Sequence, residues 1–197
     1  MGKPLNVCVI GAGSSYTPEL IEGFIDRRDE LDLRGIRFVD IDRRRLDILA
    51  DMTERMLRHA GMDVPGLRYE DQRRGIDGAD IVVSQLRVGG QAARLQDEKV
   101  PLQWGVIGQE TTGPGGFMKG LRTIPVALRI AEDIRELAPH AWLINFTNPA
   151  GMITEALLRY GHARTIGVCN GPIGVEMSLA RRLGVDRREL VLDSVGL

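Results

Sequence analysis

Leu5-Asn6-Val7-Cys8-Val9-Ile10-Gly11-Ala12-Gly13-Ser14-Ser15-Tyr16-Thr17-Pro18 joins a short apolar run to a glycine-bearing turn and then to a helix start. The run is strand-sized, rich in valine and closed by Gly11, which suits a buried parallel strand. Pro18 fits the first turn of a helix, Thr17 is its expected N-cap, and Leu20, Ile21, Phe24 and Ile25 follow at helical spacing. Strand, glycine turn and helix in this order are the setting of a dinucleotide-binding turn. Gly11 permits the tight turn, Gly13 lets backbone approach a pyrophosphate, and the helix N-terminus offers free N–H groups through Ser14, Ser15 and Tyr16. Tyr16 stands where the usual fingerprint has a third glycine, so an ordinary strand-to-helix turn is the alternative reading.

Working outward, a second strand over Ile36–Ile41 ends in Asp40, an acid placed to accept hydrogen bonds from a ribose diol. Arg43, Arg44 and Arg45 follow it, but Asp40 would repel a 2′-phosphate, which favours NAD over NADP. Leu46, Leu49, Met52, Met56 and Leu57 give an amphipathic helix ending near Gly61. Further strands are expected near 67–69 and over 81–83, 142–146, 166–169 and 190–195, with helices over 121–137, 149–160 and 174–183. A long glycine-rich loop from Arg87 to Gly120 is expected to contain one helical interruption over 92–99. The alternation predicts an α/β, Rossmann-like, doubly wound parallel sheet with helices on both faces and ligands at the carboxyl ends of the strands.

The 197 residues carry 26 basic and 27 acidic side chains, so no net field draws the chain to nucleic acid or an anionic membrane. The apolar runs are far shorter than the ~20 residues of a membrane span, and the expected location is cytoplasmic. Met1-Gly2 fails as a myristoylation signal because Asn6 stands where Ser or Thr is needed. Two distant cysteines, Cys8 and Cys169, form no disulfide framework and fit a reducing compartment.

Polar residues gather where strands end. Arg87, in Gln85-Leu86-Arg87-Val88-Gly89-Gly90, could grip an anion bidentately, or be a surface arginine. Glu110 lies among hydroxyls and glycines in Gly108-Gln109-Glu110-Thr111-Thr112-Gly113, with no hydrophobic period to make it core. Asn148, stiffened by Pro149, can present donor and acceptor together to a sugar or a carboxamide. Cys169-Asn170-Gly171-Pro172 puts a thiol at another strand end, while His59, His140 and His162 share no metal-binding spacing.

Taken in order, these motifs resemble the family 4 glycoside hydrolases, and most nearly their 6-phospho-β-glucosidase branch, with Cys-Asn where α-specific members commonly have Cys-Asp. The resemblance implies an enzyme using NAD and a divalent metal, usually Mn²⁺, on a phosphorylated disaccharide or β-glucoside. Such an enzyme oxidises sugar C3, eliminates the aglycone, adds water and re-reduces, outside the two-carboxylate rule of most glycosidases. Carried over by motif, Gly11, Gly13, Ser14, Ser15, Tyr16 and Asp40 would bind the cofactor, and Cys169 the metal. Arg87, Asn148 and Asn170 would contact substrate, and Glu110 would raise the basicity of a base that the chain lacks.

The resemblance also implies a nucleotide domain over 1–168 and, over 169–197, the start of a metal- and substrate-binding domain cut short. A histidine ligand and a tyrosine base would lie beyond it, so the isolated chain is expected to bind nicotinamide without turnover, and to self-associate as family members do. Two alternatives are an NAD-dependent 2-hydroxy-acid dehydrogenase and a non-catalytic dinucleotide-binding module. The first needs a histidine beside a carboxylate at a strand end, which none of the three histidines provides.

Overall fold

The computed structural model describes residues 4–162 and 164–193. Six strands, β1 (Leu5–Ile10), β2 (Leu33–Val39), β3 (Gly66–Tyr69), β4 (Ile81–Ser84), β5 (Trp142–Asn145) and β6 (Thr165–Gly167), pair in parallel in the order β3-β2-β1-β4-β5-β6. Helices α1 (Thr17–Asp26), α2 (Arg43–His59), α3 (Gln72–Ile76), α4 (Gly90–Leu102), α5 (Gly113–Leu137) and α6 (Ala150–Ala156) connect them. The order reverses between β1 and β4, the switch point beside which open α/β sheets bind ligands.

β1 shows why the chain builds two layers of helix around one sheet. Val7 and Val9 pack with Ile21 of α1 and Leu46, Ala50 and Leu57 of α2. Cys8 and Ile10 pack on the other side with Ile76, and with Ala127, Ile130 and Ile134 of α5. All four β1 side chains are buried, which is why the strand reads as a continuous apolar run. Burial pushes the Cys8 thiol up to about 12, against a smaller opposing pull from the Arg37 charge.

Local chemistry sets the helix ends. Asp42 caps α2 by accepting from the Arg45 N–H at 3.1 Å, a contact worth about 1 kcal/mol. Thr17 is the first residue of α1 and not its cap: its hydroxyl turns back to donate to the Ala12 carbonyl at 2.8 Å. α5 begins at Gly113, well before the expected Leu121, because its glycine-rich first turn packs on backbone. A side chain at Gly115 would strike the carbonyls of Gln109 and Asp97. The helix expected over 149–160 ends as a π-helical turn over Leu157–Gly161.

The chain divides into two compact units, Met1–Gly167 and Val168–Leu197. The second holds α7 (Asn170–Leu183), closed by Gly184 in the left-handed conformation, and a 3₁₀ turn at Arg187–Glu189. Because β6 stops at Gly167, Cys169 is the residue before α7 and not part of a strand. Leu190–Asp193 form no strand either, having no ladder partner among the described residues, and the rest of that expected strand lies outside them. Among the described residues no helix is long and apolar enough to cross a membrane.

Candidate functional site

The glycine turn is built around two close approaches. Gly11 has φ +85°, and a Cβ there would stand 2.9 Å from the Leu86 backbone. The N–H groups of Gly11 and Ala12 both donate to the Val39 carbonyl, at 2.9 and 3.0 Å, binding the turn to the end of β2. Gly13 donates its N–H to Asp40 Oδ2 at 2.8 Å, and a Cβ on Gly13 would crowd that same oxygen. Arg45 Nε donates to the Gly13 carbonyl at 2.9 Å, so this arginine braces the turn. Asp40 thus lies where the sequence placed it, but one of its oxygens engages the N–H expected to meet pyrophosphate, while Oδ1 accepts from the Asp42 N–H at 2.9 Å.

The rest of the turn is open. Ser14 Oγ accepts from the Tyr16 N–H at 3.2 Å, Ser15 is exposed, and no side chain caps α1. The Tyr16 ring meets Phe146 edge-on at 5.7 Å, linking the turn to the segment after β5. Gln85 Nε2 donates to Thr17 Oγ1 at 2.7 Å and so ties the segment after β4 to the same turn. An uncapped helix start behind a turn that admits no Cβ fits a dinucleotide pyrophosphate.

Hydroxyls lock the ends of β4 and β5 together. Thr147 Oγ1 lies 2.8 Å from Ser84 Oγ and accepts from the Leu86 N–H at 3.2 Å, while Asn145 Nδ2 donates to Thr154 Oγ1 at 3.1 Å. These bonds fix the two loops that carry Arg87 and Asn148. Asn148 is partly buried and joined to Pro149 by a cis peptide bond.

Arg87 and Glu110 meet. Arg87 Nη1 donates to Glu110 Oε1 at 2.6 Å, and Lys119 Nζ, from α5, contacts the same oxygen. Burial alone would raise the Glu110 carboxyl, yet the charges and hydrogen bonds of Lys119 and Arg87 together hold it below the ordinary range. Burial likewise pushes the Lys119 ammonium down, only partly opposed by Glu110. Behind this cluster Arg122 forms a bidentate pair with buried Asp97, at 2.6 and 3.2 Å, and donates to the Val88 carbonyl at 3.0 Å. Sequence reading missed Lys119, Arg122, Asp97 and Thr147. Lys119 lies at the edge of the segment read as loop, whereas Asp97 and Arg122 fall in stretches read as helix and Thr147 beside a strand end, where nothing in the pattern marks their pairing.

In the second unit Cys169 is exposed at the start of α7 and Asn170 is that helix's first residue, also exposed. Among the described residues no three His, Cys, Asp or Glu side chains are placed to hold a metal ion, so Cys169 stands as a single candidate ligand. A divalent transition metal needs several convergent donors, and these residues do not fit one.

Comparison with known proteins bears on this arrangement. The model of family 4 glycosyl hydrolases matches residues 6–185. The chain is 52% identical along its whole length to a probable 6-phospho-beta-glucosidase of Bacillus subtilis. It is 49% identical to the 6-phospho-beta-glucosidase of Escherichia coli, and in both cases covers 45% of the relative. It also superposes, at TM-score 0.88 and 35% identity, on a 6-phospho-beta glucosidase from Thermotoga maritima solved with manganese, NAD⁺ and glucose-6-phosphate. That match takes in 95% of this chain and 46% of the other. A malate dehydrogenase from Picrophilus torridus matches at TM-score 0.67 and 18% identity, which shows a shared fold alone.

Proposed function

Because the chain belongs to the family 4 glycosyl hydrolases, we propose that it supplies the nucleotide-binding part of an NAD-dependent 6-phospho-β-glucosidase. Net hydrolysis would run through oxidation at sugar C3, loss of the C2 proton and aglycone, addition of water, and re-reduction. One contact carries this reading. The Leu86 backbone presses on Gly11, so Arg87, with Glu110 paired to it, stands one residue from the turn that would cradle a pyrophosphate.

NAD, when bound, supplies the acceptor for the C3 hydride and returns it at the end. The chain's own residues bind and orient. Gly11 and Gly13 keep the turn clear of side chains, the α1 dipole favours the pyrophosphate charge, and Asp40, which holds the Gly13 N–H, would also accept from the adenosine ribose. Arg87 and Asn148 grip the sugar phosphate, a guanidinium being suited to paired phosphate oxygens. Glu110, ionised, raises the basicity of a neighbouring base, which we place in the part of the relatives' length that this chain does not span. Asn170 can orient substrate but, as an amide, cannot deliver a proton as general acid. Toward a metal the described residues offer no convergent donor set, with the Cys169 thiol as a single candidate.

Calorimetric titration with NAD⁺ tests the reading. Saturable binding is expected, weakened by roughly tenfold or more in Gly13→Val, where the new side chain collides with Asp40. No heat of binding from the folded chain would refute it. Cleavage of a chromogenic 6-phospho-β-glucoside by the 197-residue chain alone would show that the base has been put in the wrong place.

A further inference from the structure

Three features set Lys119 apart from the residues around it. Its side chain is 2% exposed, against 16% for Glu110 and 29% for Arg87. Both cations meet one oxygen, Glu110 Oε1, so either can leave while the other stays. Arg87 also sits on a loop anchored at Leu86 and Val88 but not itself within a helix or strand, whereas Lys119 is fixed inside α5. Arg94, paired to Glu98 at 2.7 Å, adds a further positive field that acts on Lys119 and Glu110.

An arginine cannot serve a phosphate fully while it neutralises a carboxylate. Drawing Arg87 away would leave Glu110 partly buried and uncompensated, a cost set against binding unless another cation remains. Resting on the reading of Arg87 as a sugar-phosphate ligand, we infer that Lys119 is a positioning residue: the resident counter-ion that keeps Glu110 anionic while Arg87 exchanges Glu110 for phosphate. Lys119 itself touches no substrate. It makes the exchange possible, and it preserves the negative charge that Glu110 needs in order to act on a base.

Glucose 6-phosphate titrated into the chain and four variants decides the matter. Arg87→Met should weaken binding by roughly tenfold or more, the scale of one charged hydrogen-bonded contact. Lys119→Met should weaken it by about tenfold although the lysine makes no ligand contact, and Glu110→Gln in that background should restore it to within about threefold. Glu110→Gln alone should bind at least as tightly as the unsubstituted chain, since Arg87 is then no longer drawn off a carboxylate; this arm stands even if Lys119→Met does not fold. A lysine that merely supported the structure would cost the same whether residue 110 is Glu or Gln. Equal losses in the two backgrounds, unchanged binding in Lys119→Met, or weaker binding in Glu110→Gln would each overturn the inference while leaving the Arg87 assignment standing. Unchanged binding in Arg87→Met, or no binding by the unsubstituted chain, would remove the assignment and the inference with it.

Discussion

Two ion clusters in the first unit invert each other's stoichiometry. At the sheet edge, the single guanidinium of Arg68 in β3 meets Asp47, Asp51 and Glu54 along α2, three carboxylates that are 29 to 56% exposed, with Asp47 shared with Arg43. Near the glycine turn, Glu110 meets Arg87 and Lys119, one carboxylate against two cations, the inner of which is sealed from solvent. The edge cluster is a solvated seam fastening α2 to the edge strand β3, and water screens most of its Coulomb energy. The inner cluster carries surplus positive charge where water is scarce, the condition under which an incoming anion gains most. Burial and charge balance, and not the number of ion pairs, separate the two clusters.

Substitutions put that contrast to the test. The largest loss is expected from Arg122→Met, which strips both hydrogen bonds from Asp97, a carboxylate 3% exposed; urea unfolding should show a fall of about 4 kcal/mol. Lys119→Met should cost about 2 kcal/mol, less because Arg87 still reaches Glu110. Titration is next in size. The Glu110 carboxyl lies lower in the folded chain than its unfolded value of about 4.3, so its contribution is complete above that pH and is lost as pH falls through the folded value. The stability gap between the unsubstituted chain and Glu110→Gln should therefore be constant above the unfolded value and narrow as pH falls toward and through the lower folded one, as acid unfolding curves would show. Arg68→Met should show the smallest effect, about 1 kcal/mol or less, shrinking further in molar salt. A loss at Arg68 equal to that at Lys119 would erase the distinction between the clusters.

The legible part of this molecule was the part made of neighbours. β1, the glycine turn and Asp40 could be read because one strand, one turn and one strand end are each a short pattern, and the family motifs follow in order along the chain. Lys119 could not be read. It pairs with a carboxylate nine positions away across a segment whose glycines suggested loop, and a charged residue leaves no periodic trace. The start of α5 was hidden for a related reason, since Gly115 is there for a close backbone approach that overrides its low helix propensity. Asp40 shows the limit from the other side: sequence gave its place but not its grip on the Gly13 N–H, which depends on how far the turn folds back.

Cys8 has a practical corollary. With its sulfur enclosed between sheet and helix and its proton held far above neutral pH, it should ignore an alkylating dye, whereas Cys169 stands in solvent. A maleimide fluorophore would then label one position per molecule, at the threshold of α7, and report on that helix without any engineered residue.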